Sequence, residues 1–304
     1  MRNTLIIRRR IPMNKLEFCV IGGDRRQLCL ADYLKRNYYN VKLSAFSEQS
    51  ADIPAALAFA SEQQQNGATV KILPLPVSKD GETLNAPLYD KTVYLESILS
   101  YLKPGDLVFG GMIPEEFRNK AISRGARVTD YYEDEYLQML NAVPTAEGVV
   151  KILIDTLPVT LKGLNTAVLG YGKTGRVIAK TLAALGSDVS VFARSRGQLG
   201  EITALGYTPC RYEALKTEPV LFDALINTVP AHVLGKAELD NLNRDCLIIE
   251  IASAPFGTDF EYAREKGFKV IKAGSLPGTI APKTAGEIIG KTILTSVSAL
   301  RGDE

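Results

Sequence analysis

Histidine is almost missing from this chain. His232 is the single one in 304 residues, and there is no tryptophan. A zinc site of several imidazoles, or a Ser-His-Asp relay, would have to rest on that one side chain. The four cysteines, Cys19, Cys29, Cys210 and Cys246, form no C-x-x-C pair, so the reading is buried free thiols, with no disulfide framework and no metal centre. Net charge is also missing. The formal charge is +2 with 23% charged residues, which speaks against a nucleic-acid tail or an acidic partner. No apolar run approaches the ~20 residues that span a bilayer. Leu5-Ile6-Ile7 is too short for a signal-peptide core, and Arg8-Arg9-Arg10 follows it where a signal peptide would have its basic residues first. These absences lead to the expectation of a cytosolic protein without metal, membrane or nucleic-acid partner. Residues 1–14 read as a polar, basic extension in which Met13 is a candidate alternative start.

What is present is a hydrophobic content of 46%, enough for two ordinary α/β domains at this length. The clearest local signal is Thr166-Ala167-Val168-Leu169-Gly170-Tyr171-Gly172-Lys173-Thr174-Gly175. It reads as a short buried strand, a glycine turn and the start of a helix. Gly170 permits the tight turn, Gly172 leaves room for a pyrophosphate, and Gly175 lets helix and strand pack closely. The helix N-terminus adds free N–H groups and partial positive charge. The context agrees: Val177, Ile178, Leu182 and Leu185 follow at helical spacing, Gly186 is a natural stop, and Val189 to Ala193 is a second apolar strand. That is the βαβ order of a dinucleotide site.

The end of the second strand bears on which dinucleotide. Asp or Glu there accepts from the ribose 2′-OH of NAD; this chain has Ala193-Arg194-Ser195-Arg196. Guanidinium groups and a hydroxyl suit a 2′-phosphate, so NADP(H) is expected. The alternative is that Arg194 stacks on adenine and NAD binds as well.

Upstream, strands are expected near 18–21, 41–46, 70–73, 107–109 and 126–129. Helices are expected after the Gly22-Gly23-Asp24-Arg25-Arg26 tip, over 51–65, 93–102 and 114–123. Alternation of this kind gives a doubly wound, mostly parallel sheet. The segment Asn141 to Gly148 enters an apolar helix over 149–157, the natural hinge. After the fingerprint come a helix over 198–206 and strands near 224–230, 246–252 and 270–273. A loop over 274–282 then precedes a final helix with Ile288, Ile289, Ile293, Val297 and Leu300 on its apolar face. The domain reading is 15–144 for substrate, 145–162 for the hinge, 163–278 for the nucleotide, and 279–304 as a helix packing back at the junction.

Ligands in open α/β sheets sit at the carboxyl ends of strands. On that rule Asn227, Thr228 and Pro230 join Gly170, Tyr171, Gly172, Lys173, Thr174, Gly175, Arg194 and Ser195 as candidate cofactor residues. Asp24, Arg25, Asn141, Thr145, Pro277 and Gly278 are candidates for substrate, and Arg26, Glu147 and His232 for catalysis. Arg25 or Arg26 at a helix N-terminus suits a carboxylate. Thr145 serves equally as an N-cap, and Glu147 as a first-turn carboxylate. His232 offers an imidazole as a candidate proton donor, yet no carboxylate partner is identifiable for it.

Four motifs together resemble a known family. Gly22-Gly23-Asp24-x-Arg26, Asn141-Ala142-Val143-Pro144-Thr145-Ala146-Glu147-Gly148, the fingerprint, and Leu276-Pro277-Gly278-Thr279-Ile280-Ala281-Pro282 are similar, in that order, to the A subunit of bacterial dipicolinate synthase. The likeness covers nearly all of the chain after residue 14. It implies a flavodoxin-like N-terminal substrate domain and a Rossmann NAD(P) domain, as in alanine and D-2-hydroxyacid dehydrogenases. It further implies oxidation of dihydrodipicolinate, a small cyclic dicarboxylate, to dipicolinate during sporulation, in the mother-cell cytoplasm. A flavoprotein-like B subunit is the implied partner, and a homo-oligomer stays open. D-2-hydroxyacid dehydrogenases use a His–carboxylate pair. Having only His232 here counts against a hydroxyacid substrate. Aromatisation of the ring helps drive hydride loss, so a strong protein base is less necessary. Another NADP-linked dehydrogenase of an imino or 2-oxo acid, and a non-catalytic nucleotide-binding subunit, stay open as alternatives.

Overall fold

The computed structural model describes residues 16–47, 58–59 and 70–301. The expected helix over 51–65 and the basic extension lie outside these residues, except that Ala58–Phe59 form a strand. The chain divides into two units, 1–137 with 282–304, and 138–281.

The first unit contains β1 (Glu17–Ile21), α1 (Arg25–Arg36), β2 (Asn40–Ser44), β3 (Ala58–Phe59), β4 (Val70–Ile72), α2 (Leu95–Ser100), β5 (Leu107–Gly110), α3 (Glu115–Ser123) and β6 (Arg127–Asp130). Its strands are parallel in the order β3-β2-β1-β4-β5-β6. The run β2-β1-β4-β5-β6 is the flavodoxin-like order, to which β3 adds an edge. Parallel strands covered on both faces must be apolar along their length, and Phe18, Val20, Leu43, Ile72 and Phe109 are all fully enclosed.

The chain leaves this unit inside α4 (Glu135–Thr156). This helix starts ten residues before Thr145, where the sequence pointed to a cap. Pro144 lies within it and has no N–H to offer the Leu140 carbonyl. Ala142, Ala146, Val149 and Leu153 are nevertheless all buried. At about 1.5–3 kcal/mol for each large apolar side chain, that stripe offsets one missing hydrogen bond.

The second unit continues with β7 (Asn165–Leu169), α5 (Lys173–Ala184), β8 (Asp188–Phe192), α6 (Arg196–Ala204), β9 (Thr208–Cys210), α7 (Ala214–Thr217), β10 (Ala224–Asn227), α8 (Lys236–Asn241), β11 (Leu247–Glu250), α9 (Phe260–Glu265), β12 (Val270–Lys272) and α10 (Leu276–Ile280). The sheet is parallel, β12-β11-β10-β7-β8-β9, which is the Rossmann order 3-2-1-4-5-6 read from the other edge. Val168, Ile226 and Ile249 feed one core, and Ala167, Leu169, Leu225 and Ile248 the other, as a sheet with helices on both faces requires. The expected loop over 274–282 contains α10, because Pro277 is placed in the first turn, where its missing N–H costs nothing.

The chain then returns to the first unit as α11 (Pro282–Arg301). This helix packs directly on α1. A Cβ on Gly286 would meet Leu30 N at 2.8 Å, and one on Gly290 would meet the Tyr33 ring at 2.7 Å. Glycine at these two positions is what allows the approach.

Candidate functional site

The switch point of the second sheet lies between β7 and β10, whose connections run to opposite sides. A cavity of about 550 Å³ opens there, at the carboxyl ends of β7, β8 and β10. Gly170 to Gly175, Ala193, Arg194, Thr228, Val229 and Pro230 line it, with Gln138, Gln198 and Tyr212.

The three fingerprint glycines are required for different reasons. Gly170 has φ +98, and a Cβ there would press on Val229 Cγ2 at 2.8 Å. A Cβ on Gly175 would run into the Gly170 carbonyl oxygen. Gly172 has an ordinary negative φ as the N-cap of α5, and a Cβ on it would meet nothing within 4 Å. The protein's own packing therefore explains two of the glycines and leaves the third open toward the cavity. No side chain caps α5, so its first-turn N–H groups and the positive end of its dipole face the same space. Residues present and chemistry needed agree here: this is a fit for a pyrophosphate.

Around that turn the side chains are held in place. Tyr171 is buried under the Arg176 guanidinium, 4.6 Å from its ring centroid, and Arg176 forks onto Glu201. Burial, then the Glu201 carboxylate, pushes the Tyr171 phenol up from its usual range. Lys173 Nζ donates to Gln138 Oε1 at 2.8 Å. Thr228 donates its hydroxyl to the Leu169 carbonyl at 2.8 Å, joining the tips of β10 and β7.

At the tip of β8, Arg194 is exposed, with its guanidinium carbon 6.0 Å from the Tyr212 ring centroid. Burial raises the Tyr212 phenol, against the lowering field of Arg194. Ser195 is the N-cap of α6 and accepts from Gln198 N at 3.1 Å. Its oxygen is engaged there, and it is not among the lining residues.

Several expected residues take other positions. Asn227 is fully buried. Its amide donates to both oxygens of Glu250, at 2.8 and 2.9 Å, and to Val229 O at 3.1 Å. It supports the pocket wall from beneath, where the sequence suggested a direct cofactor contact. Arg26 is also buried. Its Nε bonds both Asp24 oxygens at 3.0 and 3.1 Å, and one Nη bonds Asp24 at 2.8 Å and Leu75 O at 2.7 Å. The guanidinium expected to meet a substrate carboxylate is thus paired with the chain's own. Asp24 caps α1 through Arg26 N, and Arg25 is exposed beside it.

Thr145 is mid-helix and donates to Asn141 O at 2.9 Å. Glu147, two residues on, is turned by about 200° and is exposed, so Thr145 and Glu147 do not share a face. Pro277 is buried and Gly278 half-buried in α10. Gly148 of α4 lies close against Leu276, whose Cβ is 3.0 Å from where a Cβ would stand. His232 is exposed on the loop after β10, beside Gly235. Neither Glu147 nor His232 lines the cavity. The candidate list lacked five of the lining residues, Gln138, Ala193, Gln198, Tyr212 and Val229. Tyr212 follows β9, a three-residue strand containing Pro209 that has no apolar alternation. Gln138 precedes the expected start of the hinge helix.

Two doubly wound α/β units, the second in Rossmann order with an open glycine turn at its switch point, define the class: a protein with the fold of the nicotinamide-dependent dehydrogenases. L-alanine dehydrogenase shares that fold at 14% identity and a TM-score of 0.61, over 94% of this chain and 90% of that one. The narrower relationship comes from closer relatives. A family model of the N-terminal domain of the dipicolinate synthase A subunit matches residues 17–132. The dipicolinate synthase A subunit of Bacillus subtilis (strain 168) is 32% identical over 292 residues, 95% of this chain and 98% of that protein. A crystal structure of the Bacillus subtilis protein superposes with a TM-score of 0.83 at 31% identity, over 95% of this chain and 98% of that one. The crystal structure of its Bacillus halodurans counterpart gives 0.83 at 27% identity, over 93% and 98%. The chain belongs to the family of dipicolinate synthase A subunits. Among the described residues, no helix is long and apolar enough to cross a membrane.

Proposed function

We propose that this chain is the nicotinamide-dependent oxidoreductase component of a dipicolinate synthase, converting dihydrodipicolinate to dipicolinate with NADP(H) as the preferred dinucleotide. The observation that carries this is the uncapped, unfilled glycine turn at Gly172, in a chain of that family. The backbone of Gly170 to Gly175 and the α5 dipole hold the pyrophosphate. Arg194 takes the 2′-phosphate with its planar fork, and Tyr212 flanks the adenine side. Thr228, Val229 and Pro230 flank the ribose and nicotinamide side. When bound, the nicotinamide supplies the hydride acceptor.

In the overall change the dihydropyridine ring loses one hydride and one proton and gains aromaticity. The driving force lies in the ring, so a strong base is not required of the protein. Arg25 is exposed and stays assigned to a substrate carboxylate; Asn141, Pro277 and Gly278 also stay assigned to the substrate. The setting is the cytoplasm of a sporulating mother cell, and the partner is a flavoprotein-like B subunit.

A second reading is a nucleotide-binding component whose partner completes the catalytic set. It is favoured by the placement of Glu147 and His232 outside the cavity lining. The test mixes the purified chain with NADP⁺ and freshly generated dihydrodipicolinate, with and without the candidate B subunit. Reduced nicotinamide is followed by absorbance and dipicolinate by chromatography. Equimolar appearance of both is expected. Turnover by the chain alone eliminates the second reading, and cofactor binding without turnover in either mixture defeats the proposed activity.

A further inference from the structure

We propose that Glu250, at the tip of β11, is a specificity determinant that favours the oxidised over the reduced dinucleotide. The proposal rests on the dinucleotide reading above. Glu250 is 1% exposed. Its oxygens accept from Asn227 Nδ2, from the N–H groups of Ala252 at 3.1 Å, Gly257 at 3.2 Å and Thr258 at 3.1 Å, and from the Thr258 hydroxyl at 2.7 Å. Every one of these partners is an uncharged donor. Among the described residues, no ion pair reaches it. Lys272 stands opposite in the β11–β12 register, but its ammonium sits over aromatic rings, 3.7 Å from the Phe260 centroid and 5.2 Å from that of Phe256.

Enclosing a carboxylate without an ion partner is unfavourable, and the surrounding loop is shaped to accommodate one. Phe256 adopts φ +66, left-handed and strained for a residue with a Cβ. A Cβ on Gly257 would come within 2.8 Å of Val229 O and 2.9 Å of Ala231 O. The loop's N–H groups make a nest of the kind that holds anions, and the anion in it is the protein's own.

Its location gives this charge a consequence. The Asn227 amide that binds Glu250 also donates to Val229 O, and Val229 lines the cavity. In a Rossmann sheet each half of the dinucleotide lies over one half of the strands. The fingerprint and Arg194 assign the adenine half to β7 and β8, which leaves the nicotinamide half to the tips of β10 to β12. The oxidised nicotinamide ring is a cation and the reduced ring is neutral. A fixed negative charge below that subsite therefore stabilises one redox form selectively. For two unit charges on the order of 10 Å apart at an effective dielectric of ~20, the Coulomb attraction corresponds to roughly tenfold in a ratio of affinities.

The experiment measures dissociation constants of NADP⁺ and NADPH by calorimetric titration on the full chain and three variants. Glu250→Gln removes the charge. The ratio Kd(NADP⁺)/Kd(NADPH) is expected to rise roughly tenfold. Thr258→Val loosens the nest but keeps the charge, so both constants are expected to rise together with the ratio unchanged. Lys272→Met removes the opposing exposed cation, and a shift of about twofold in the other direction is expected, reduced by solvent screening. A folded Glu250→Gln protein with an unchanged ratio overturns the proposal and leaves Glu250 a purely architectural residue. If near-UV circular dichroism shows that Glu250→Gln does not fold, Lys272→Met decides, and an unchanged ratio there overturns it. Failure of the unmodified chain to bind either redox form defeats the dinucleotide reading itself, which is a distinct outcome.

Discussion

Gly22-Gly23-Asp24 at the tip of β1 and Gly170-Tyr171-Gly172 at the tip of β7 stand at equivalent switch points of two sheets with the same strand order. Each leads from a buried strand into an amphipathic helix of twelve residues. In the first unit the turn is filled from within. A Cβ on Gly22 would meet Leu84 at 2.6 Å, and one on Gly23 would meet Gln27 at 2.6 Å. Asp24 already sets a carboxylate at the N-terminus of α1, and Arg26 locks it. In the second unit the equivalent place holds no side chain and no side-chain cap, and a Cβ on Gly172 would meet no neighbour within 4 Å. Topology creates two candidate anion sites, and the residue at the N-cap decides which remains available to a ligand.

The comparison is broken most completely by giving α5 the arrangement of α1. Gly172→Asp places a carboxylate at the N-cap, where it satisfies the first-turn N–H groups and occupies the phosphate position with negative charge. The fold is expected to survive, with the melting temperature unchanged or raised. Cofactor affinity should fall at least a thousandfold, or about 4 kcal/mol. Calorimetric titration alongside thermal unfolding reads both, and retained affinity refutes the site.

The converse change addresses the filled turn. Arg26→Ala leaves the Asp24 carboxylate and the Leu75 carbonyl without their buried partner, and a loss of about 3 kcal/mol in stability is expected. Urea unfolding measures it. Because the dinucleotide is assigned to the other turn, NADP(H) affinity should not move. Lysine should not restore the loss, since one ammonium cannot reproduce the fork onto Asp24 and the bond to Leu75. A stable Arg26→Ala protein with weakened substrate binding would instead return Arg26 to the substrate.

The contrast between the two turns also marks where sequence reading ends. The strand–turn–helix of each was legible because apolar runs bounded by glycine carry it, as Ala167 to Gly175 demonstrates. The fingerprint spacing already separated Gly172, for a pyrophosphate, from Gly175, for packing, and the neighbouring atoms agree. Gly22 and Gly23 carry no such fingerprint, so their filling by Leu84 and Gln27 could not be read. Long-range partners were illegible for the same reason: Arg26 meets Leu75 across 49 positions and Asn227 meets Glu250 across 23. Pro144 misled in a different way. Local propensity places a helix boundary there, and the buried stripe of α4 overrides it. Short elements such as β9 and α10 lack the length to display a period, so Tyr212 and the first-turn setting of Pro277 could not be read.

A smaller effect tests how the open site distinguishes dinucleotides. Arg194 is exposed at the tip of β8 and no ion pair is found for it among the described residues. Arg194→Ala should weaken NADP(H) by roughly tenfold to thirtyfold, about 2 kcal/mol for a lost charge-assisted contact, while NAD(H) binding stays within a factor of two or so of its starting value. Parallel titration of the two cofactors checks this, and equal losses would assign Arg194 to adenine stacking.

The smallest expected effect separates the two units by their own thiols. Cys19 on β1 and Cys246 at the start of β11 are both buried free cysteines. Desolvation raises each above the usual thiol range, Cys19 to about 11 and Cys246 further. A raised value means that the fold holds its proton more tightly than the unfolded chain does, so the stability is fully present below the unfolded value of 9.0 and is lost as pH rises through about 11. By pH ~10 the Cys19 share of that loss is on the order of 1 kcal/mol, one pKa unit's worth. Urea unfolding at stepped alkaline pH should show the decline, and Cys19→Ala should flatten part of it. The two thiols also report separately, since each reacts only when its own strand opens. In thiol-exchange labelling read by mass spectrometry, Arg26→Ala should accelerate Cys19 and leave Cys246 slow. Gly172→Asp should accelerate neither. Equal acceleration of both thiols in Arg26→Ala would mean that the filled turn stabilises the whole chain and not its own unit alone, and the distinction drawn between the two switch points would then be one of ligand access without independence in stability.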